Sequence, residues 1–257
     1  EYVTGVPVPL LTTAEERRRT VQALFPGMEV LIVPFDQAMM TMPWEDFVTL
    51  LQGEYRAGWL VAGHDFRFGH KNAGTAALLR SRSEELGIGC DVIPAVELGG
   101  VTISSTHIRA LLERGEVEEA ARFLGRPFAI SGVVRHGKRL GTSRLGAPTV
   151  NLIPDAHQLV PAFGVYAARV TVDGRELPAV TNVGVRPTVD TDGGVTVESH
   201  LLEGAPELYG ADCRVAFMRM LRPERRFASL EALREQIAGD AAEARDYFDR
   251  QREDGEA

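Results

Sequence analysis

Between Gly132 and Leu152, three glycines, Gly137, Gly141 and Gly146, are interleaved with Lys138, Arg139 and Arg144 in a protein whose net charge is −8. Glycine lets backbone N–H groups close on a ligand and adopts conformations that a Cβ forbids. With cations alongside, such a backbone suits a polyphosphate. Pro148 fixes its own φ, and the next residues, Thr149 and Asn151, lie two apart on an extended chain and so point to one side. A hydroxyl and an amide oxygen side by side are hard ligands, the kind Mg²⁺ accepts when it arrives on a nucleotide. The stretch lacks the Gly-Lys-Ser/Thr ending of a Walker loop, and a plain hairpin connection is the competing reading of its glycines.

Two further groupings have a chemical sense. Ser104, Ser105 and Thr106, followed by Arg109, stand before the helical stretch Ala110 to Arg114. Hydroxyls, free N–H groups at a helix start and one guanidinium make a phosphate cradle, or simply a helix cap. The motif Gly63-His-Asp-Phe-Arg-Phe-Gly69 directly follows the strand-like Leu60-Val-Ala, so Asp65 and Arg67 project from a strand's carboxyl end. Ligands sit there in α/β sheets, although an Asp can equally hold a turn. In Val195 to Leu202, alternation sets Thr196, Glu198 and His200 on one face and Val195, Val197 and Ser199 on the other.

The elements that carry these residues fall into two sets. With 257 residues, 44% of them apolar, the chain is long enough for two modest cores. Residues 1–126 alternate helix and strand: a helix headed by the capping-box spacing Thr13-Ala-Glu-Glu16, a buried-type strand over Glu29–Phe35, and a helix over Trp44–Leu51. They continue with a strand over Gly58–Gly63, a helix over Thr75–Leu86 stopped by Gly87, and a strand over Cys90–Val96. Such alternation predicts a parallel sheet with helices on its faces, a Rossmann-like α/β layer. An amphipathic helix over Glu116–Leu124 ends at Gly125-Arg-Pro127, where the domain boundary is drawn. Residues 127–257 turn strand-like, with Phe128–Val134 partnered by Thr149–Ile153. Gly164–Val172 and Arg175–Val183 flank the hairpin signal Asp173-Gly174, and Val195–Leu202 and Arg214–Met220 follow. They predict a small antiparallel β-barrel closed by a helix over Ser229–Arg250.

Composition narrows the function classes. An acidic balance argues against a nucleic-acid surface but not against small phosphorylated ligands, which need only local cations. Cys90 and Cys213 lie far apart and form no Cys-x-x-Cys pair, so neither a disulfide framework nor a structural zinc is indicated and a cytoplasmic setting is expected. No apolar run approaches the roughly 18 residues of a spanning helix, so neither a membrane partner nor a signal peptide is expected. Weak self-association stays open.

The phrase Gly-Ala-Pro-Thr-Val-Asn-Leu at Gly146–Leu152 resembles the Gly-Phe-Pro-Thr-Ala-Asn-Leu signature of riboflavin kinases, whose Thr and Asn hold the Mg-ATP phosphates. Ala147 and Val150 depart from it and leave both ligands in place. Asp-Phe-Arg-Phe-Gly and Ser-Ser-Thr-His-Ile-Arg together resemble the adenylyltransferase half of the bacterial bifunctional riboflavin kinase/FMN adenylyltransferases. The resemblance implies a flavin and adenine-nucleotide site at Asp65, Phe66, Phe68 and Gly69, and phosphate contacts at Ser104, Ser105, Thr106 and Arg109. Val-Glu-Ser-His-Leu-Leu with Leu-Tyr-Gly210 resembles the kinase segment whose Glu is the catalytic base, and the resemblance implies that role for Glu198. Thr181-Asn-Val-Gly-Val-Arg-Pro-Thr188 and Leu221-Arg-Pro-Glu-Arg-Arg-Phe227 resemble segments beside the family's flavin pocket and implicate Asn182 and Arg222.

What the resemblance implies is phosphorylation of riboflavin by ATP to FMN, with Gly137, Lys138, Gly141, Gly146, Thr149 and Asn151 on the nucleotide, and adenylylation of FMN to FAD in the intact protein. Mg²⁺ is the implied cofactor, held through Thr149 and Asn151. The family's opening Gly-x-Phe-Asp-x-x-His-x-Gly-His loop does not occur in this chain, whose first residues align well inside the family pattern. An N-terminally incomplete adenylyltransferase domain, by truncation or by loss, is therefore expected. Two alternatives stay open: a regulatory protein that binds flavin nucleotides without turnover, and a kinase for a flavin analogue or with another nucleoside triphosphate.

Overall fold

The computed structural model describes residues 8–135, 149–185, 194–203 and 210–255. The chain forms two compact units, Glu1–Val8 with Glu29–Ile103, and Pro9–Met28 with Ser104–Ala257. The first helix, α1 (Ala14–Leu24), lies in the second unit although it precedes the first in sequence. Thr13 caps it, its Oγ1 accepting the Glu16 N–H at 3.2 Å. That much follows the capping-box spacing. The Glu16 carboxylate, however, accepts from Ser131 Oγ at 2.7 Å and Arg214 Nε at 2.8 Å.

The first unit carries α2 (Gln37–Thr41), α3 (Trp44–Gly53), β1 (Trp59–Gly63), β2 (Arg67–Phe68), β3 (Gly74–Thr75), α4 (Ala76–Leu86), β4 (Gly89–Ile93), β5 (Glu97–Leu98) and β6 (Val101–Thr102). Pro43 opens α3 with its φ already fixed, and Thr75 caps α4 by accepting the Leu78 N–H. Gly87 ends α4 in the left-handed region, at φ 68°, where its N–H closes on the carbonyls of Ser83 and Glu84. Among the described residues, β1 and β4 form a two-stranded parallel sheet in register Leu60↔Cys90 and Ala62↔Val92. Its core gathers Val48, Leu60, Phe68 and Leu79, with Trp44, Phe47 and Leu51 packed around them.

The strand expected over Glu29–Phe35 does not form; those residues have no ladder, and Leu31 is 70% exposed. An apolar run becomes a strand only where a neighbour takes up its N–H and C=O groups and a second layer covers its side chains.

The second unit continues with α5 (Ser105–Glu113), α6 (Val117–Leu124), β7 (Ala129–Val133), β8 (Thr149–Leu152), β9 (Gly164–Val172), β10 (Arg175–Val185), β11 (Val195–Leu201), β12 (Asp212–Pro223) and α7 (Leu230–Gly255). Its antiparallel sheet has the order β7-β12-β9-β10-β11-β8. The Arg135 N–H donates to the Asn151 carbonyl at 2.9 Å, which bridges the two edges of this curled sheet. The partnership expected between the strands before and after the Gly-rich loop is thus reduced to that bridge. β7 pairs with β12 and β8 with β11, because β12, β9, β10 and β11 stand between them in the sheet order. The β9–β10 hairpin turns through Asp173 and Gly174 at φ 49° and 74°, the paired positive angles that Asp-Gly favours.

Tyr166, Phe217, Phe128, Ile130, Val150, Val183 and Val197 fill the interior of the sheet with at most 1% exposure. On the outer face Val165, Ala167 and Val180 receive α7 through Ala241, Ala244, Tyr247 and Phe248. Residues 9–28 and 104–126 belong to this same compact unit. Among the described residues no helix is long and apolar enough to cross a membrane.

Candidate active site

The period of the strands and the register of the sheet build the site. On β8, Thr149 and Asn151 share a face; on β11, Glu198 and His200 share one; on β10, Val180 and Asn182 do. The register sets Asn182 opposite Glu198 and Glu198 opposite Asn151, so three polar side chains cross three adjacent strands in one row. Directly opposed side chains stand roughly 5 Å apart at Cβ, within reach of one ligand. The neighbouring row runs Val180, His200, Thr149, and the Thr149 Oγ1 lies 3.2 Å from His200 Nδ1, with the imidazole tautomer deciding which donates. Asn151 is 7% exposed, so the amide is held by its surroundings and not by solvent. The alternation predicted for β11 is the one found: Val197 and Ser199 point inward, and the Ser199 and Thr181 hydroxyls are 2.8 Å apart in the interior.

The row extends beyond β10. Asn182 is opposite Val165 of β9, and Val165 opposite Arg222 of β12, after register shifts that re-aim this last strand. Four residues singled out in four separate sequence motifs, Asn151, Glu198, Asn182 and Arg222, therefore occupy one line across the outer face of the barrel. Beside Asn182, Glu224 reaches over Gly184: a Cβ on Gly184 would meet Glu224 Oε1 at 2.8 Å. A cavity of about 520 Å³ opens there, lined by Val185, Glu224, Arg225 and Arg226. Arg225 stacks its guanidinium on the Phe227 ring with 4.9 Å to the centroid. Glu224 was given no role by the sequence reading, since one carboxylate in Leu-Arg-Pro-Glu-Arg-Arg-Phe looks like surface charge. His200, on the same face of β11 as Glu198, is the hydrogen-bonding partner of Thr149.

Gly137, Lys138, Gly141 and Gly146 lie outside the described residues, as do Arg186–Gly193 and Gly204–Tyr209. The stretch that holds the glycines joins β7 to β8, so it leaves Arg135 and returns at Thr149, beside the row. Thr149 and Asn151 supply a hydroxyl and an amide on one face, a donor set that fits a hard cation already carrying phosphate oxygens.

Ser104, Ser105, Thr106 and Arg109 lie in the second unit, and the first three open α5. Ser104 is its cap, Oγ accepting the His107 N–H at 3.2 Å, and the helix starts five residues earlier than its apolar spacing suggests. Arg109 donates from Nε to the Pro9 carbonyl at 2.8 Å. Asp65, Phe66 and Phe68 lie in the first unit, after β1. Phe68 is buried against Phe47, at 5.4 Å between centroids, and stacks on the more exposed Phe66 at 5.2 Å. Asp65 is exposed.

An antiparallel barrel with a polar row beside a glycine-rich connection, joined to an α/β unit, defines a protein built for small phosphorylated ligands in two separate modules. The models of two families match the chain, the one described as riboflavin kinase over residues 124–248 and the one described as FAD synthetase over residues 4–107. A bifunctional riboflavin kinase/FMN adenylyltransferase of Pseudomonas fluorescens is 40% identical over 217 residues, which is 84% of this chain and 69% of that protein. One from Bacillus subtilis (strain 168) is 32% identical over 247 residues, 94% of this chain and 76% of that protein. A crystal structure described as a macrolide-efflux protein from Streptococcus pneumoniae superposes with a TM-score of 0.77 at 28% identity, covering 91% of this chain and 75% of that one. The chain belongs to the bifunctional riboflavin kinase/FMN adenylyltransferase family.

Proposed function

We propose that the barrel domain phosphorylates the 5′-hydroxyl of riboflavin with ATP, giving FMN and ADP, and that in the intact protein the α/β domain adenylylates FMN with ATP, giving FAD and pyrophosphate. The single observation that carries the kinase reading is the row Asn151–Glu198–Asn182, which sets one carboxylate between two amides beside the returning end of the Gly-rich connection. In this reading Gly137, Lys138, Gly141 and Gly146 close on the phosphates, and Thr149 and Asn151 present their oxygens to the nucleotide-borne metal. Mg²⁺, when bound, offsets charge on the β- and γ-phosphates. Glu198 accepts the proton of the attacking hydroxyl and so aligns its oxygen for in-line transfer. Asn182 and Arg222 orient the flavin, for which the cavity beside Glu224 gives room.

For the second activity, Ser104, Ser105, Thr106 and Arg109 grip phosphate, and Asp65, Phe66 and Phe68 meet the flavin or adenine. The kinase domain runs over residues 127–257 and the adenylyltransferase domain over residues 1–126. A cytoplasmic setting goes with two free cysteines, one half-buried and one buried.

The test is a chromatographic time course with riboflavin, ATP and Mg²⁺. FMN is expected to accumulate only when all three are present, and any FAD to form from it. A folded protein that binds flavin yet makes neither product would overturn the kinase reading and leave a flavin-nucleotide binder.

A further inference from the structure

Beneath the Arg222 end of the polar row lies a charged group with no part in phosphoryl transfer. Asp240 of α7 is 3% exposed, and its carboxylate receives a fork from Arg222. Nε donates to Oδ1 at 2.9 Å and to Oδ2 at 3.2 Å, and Nη2 donates to Oδ2 at 2.8 Å. Gln236, one turn earlier on α7, donates from Nε2 to Oδ1 at 2.6 Å and fixes the carboxylate in turn. The other edge of the guanidinium, Nη1, has the Pro223 carbonyl at 3.3 Å, and the group lies over the Phe227 ring, 5.5 Å from its centroid.

Stability alone is a poor reason for this arrangement. A buried ion pair gives up about as much hydration as it regains in attraction, and a packed apolar pair would serve the helix as well. What the fork does supply is orientation, since a planar guanidinium bound through two nitrogens cannot swing. It also supplies neutralisation: with Asp240 paired, the end of the row presents an aimed donor without net charge. Such a donor suits an uncharged ring system bearing carbonyl oxygens, whereas an anionic nucleotide would gain from a bare cation.

The geometry points to Asp240 as a positioning residue for the flavin, one that holds Arg222 in place and sets the preference of this end of the row for a neutral, carbonyl-bearing substrate. It acts only through Arg222, and it rests on the reading that riboflavin occupies the Arg222 side of the row.

The test is flavin-fluorescence titration of the full chain, which needs no turnover, with D240N, D240E and R222K. D240N keeps the shape of the carboxylate and removes its charge. It should weaken riboflavin binding about tenfold while ATP binding stays within about twofold, and it should narrow the preference for riboflavin over FMN because Arg222 is left as a bare cation. D240E should recover part of the loss, and R222K, which cannot form the fork, should match D240N for riboflavin. If D240N does not fold, R222K and D240E carry the comparison. Unchanged riboflavin binding in the folded variants, or equal loss for riboflavin and ATP, would overturn the assignment. A wild-type chain that binds flavin but forms no FMN would instead fail the kinase reading, and the titration would still report on Asp240.

Discussion

Glu198 is held by its row. Asn182 and Asn151 flank it at directly opposed positions, and the strand alternation allows its side chain no other face. Replacing it with Gln keeps the size and the hydrogen-bonding shape and removes only the capacity to take a proton. E198Q should therefore lower kcat for FMN formation by about 10²-fold or more while ATP affinity, measured by titration calorimetry, stays near the wild-type value. Near-normal turnover would remove Glu198 from the role of base. The alternation that singled out Glu198 was readable from Val195–Leu202 alone, as was the shared face of Thr149 and Asn151. That these faces coincide was not readable, because period two says which residues share a side of one strand and nothing about which strand lies next. The pairing of Arg222 with Asp240 was hidden for another reason. The two stand 18 residues apart on different elements, each among other charges, and no spacing rule links a strand's end to the middle of a helix.

At the scale of elements, short-range signals were the reliable ones. Thr75, Gly87, Pro43 and Asp173-Gly174 each act through the backbone within a few residues, and each does in the structure what its chemistry implies. Glu29–Phe35 failed because a strand exists only with partners, which a single run does not encode. α1 shows both cases in one helix. The Thr13 cap is local, whereas Glu16 crosses to the barrel and is buried there between Ser131 and Arg214. Its side chain is 3% exposed and that of Arg214 29% exposed, so solvent relieves part of the loss if the pair is broken. E16A should cost about 2–3 kcal/mol in chemical denaturation, below the 3–5 typical of fully buried pairs. The Leu10–Leu159 contacts, N–H to carbonyl at 2.8 Å, give the same segment a second hold on the barrel unit. A cost under about 0.5 kcal/mol, the level of an ordinary surface substitution, would mean that α1 is carried by the Leu10 contacts and not by Glu16.

At the scale of the molecule, the described residues include two cores of different character: one of Val48, Leu60, Phe68 and Leu79 under a parallel pair of strands, the other filling a six-stranded antiparallel sheet. Both tryptophans, Trp44 and Trp59, fall in the first unit, so intrinsic tryptophan emission follows that unit alone. Circular dichroism follows both, and this difference makes the independence of the cores measurable. Phe217 has no exposure and packs on Phe128 and Tyr166 at 6.1 and 5.2 Å between centroids. Truncation to Ala removes the whole ring and leaves a cavity that rigid strands cannot close, at a cost of about 3–5 kcal/mol to the barrel. F217A should therefore lower the circular dichroism midpoint and leave the tryptophan midpoint where it is. Midpoints that fall together would mean that the two units unfold as one cooperative body, and that damage to the kinase core reaches the flavin-nucleotide half as well.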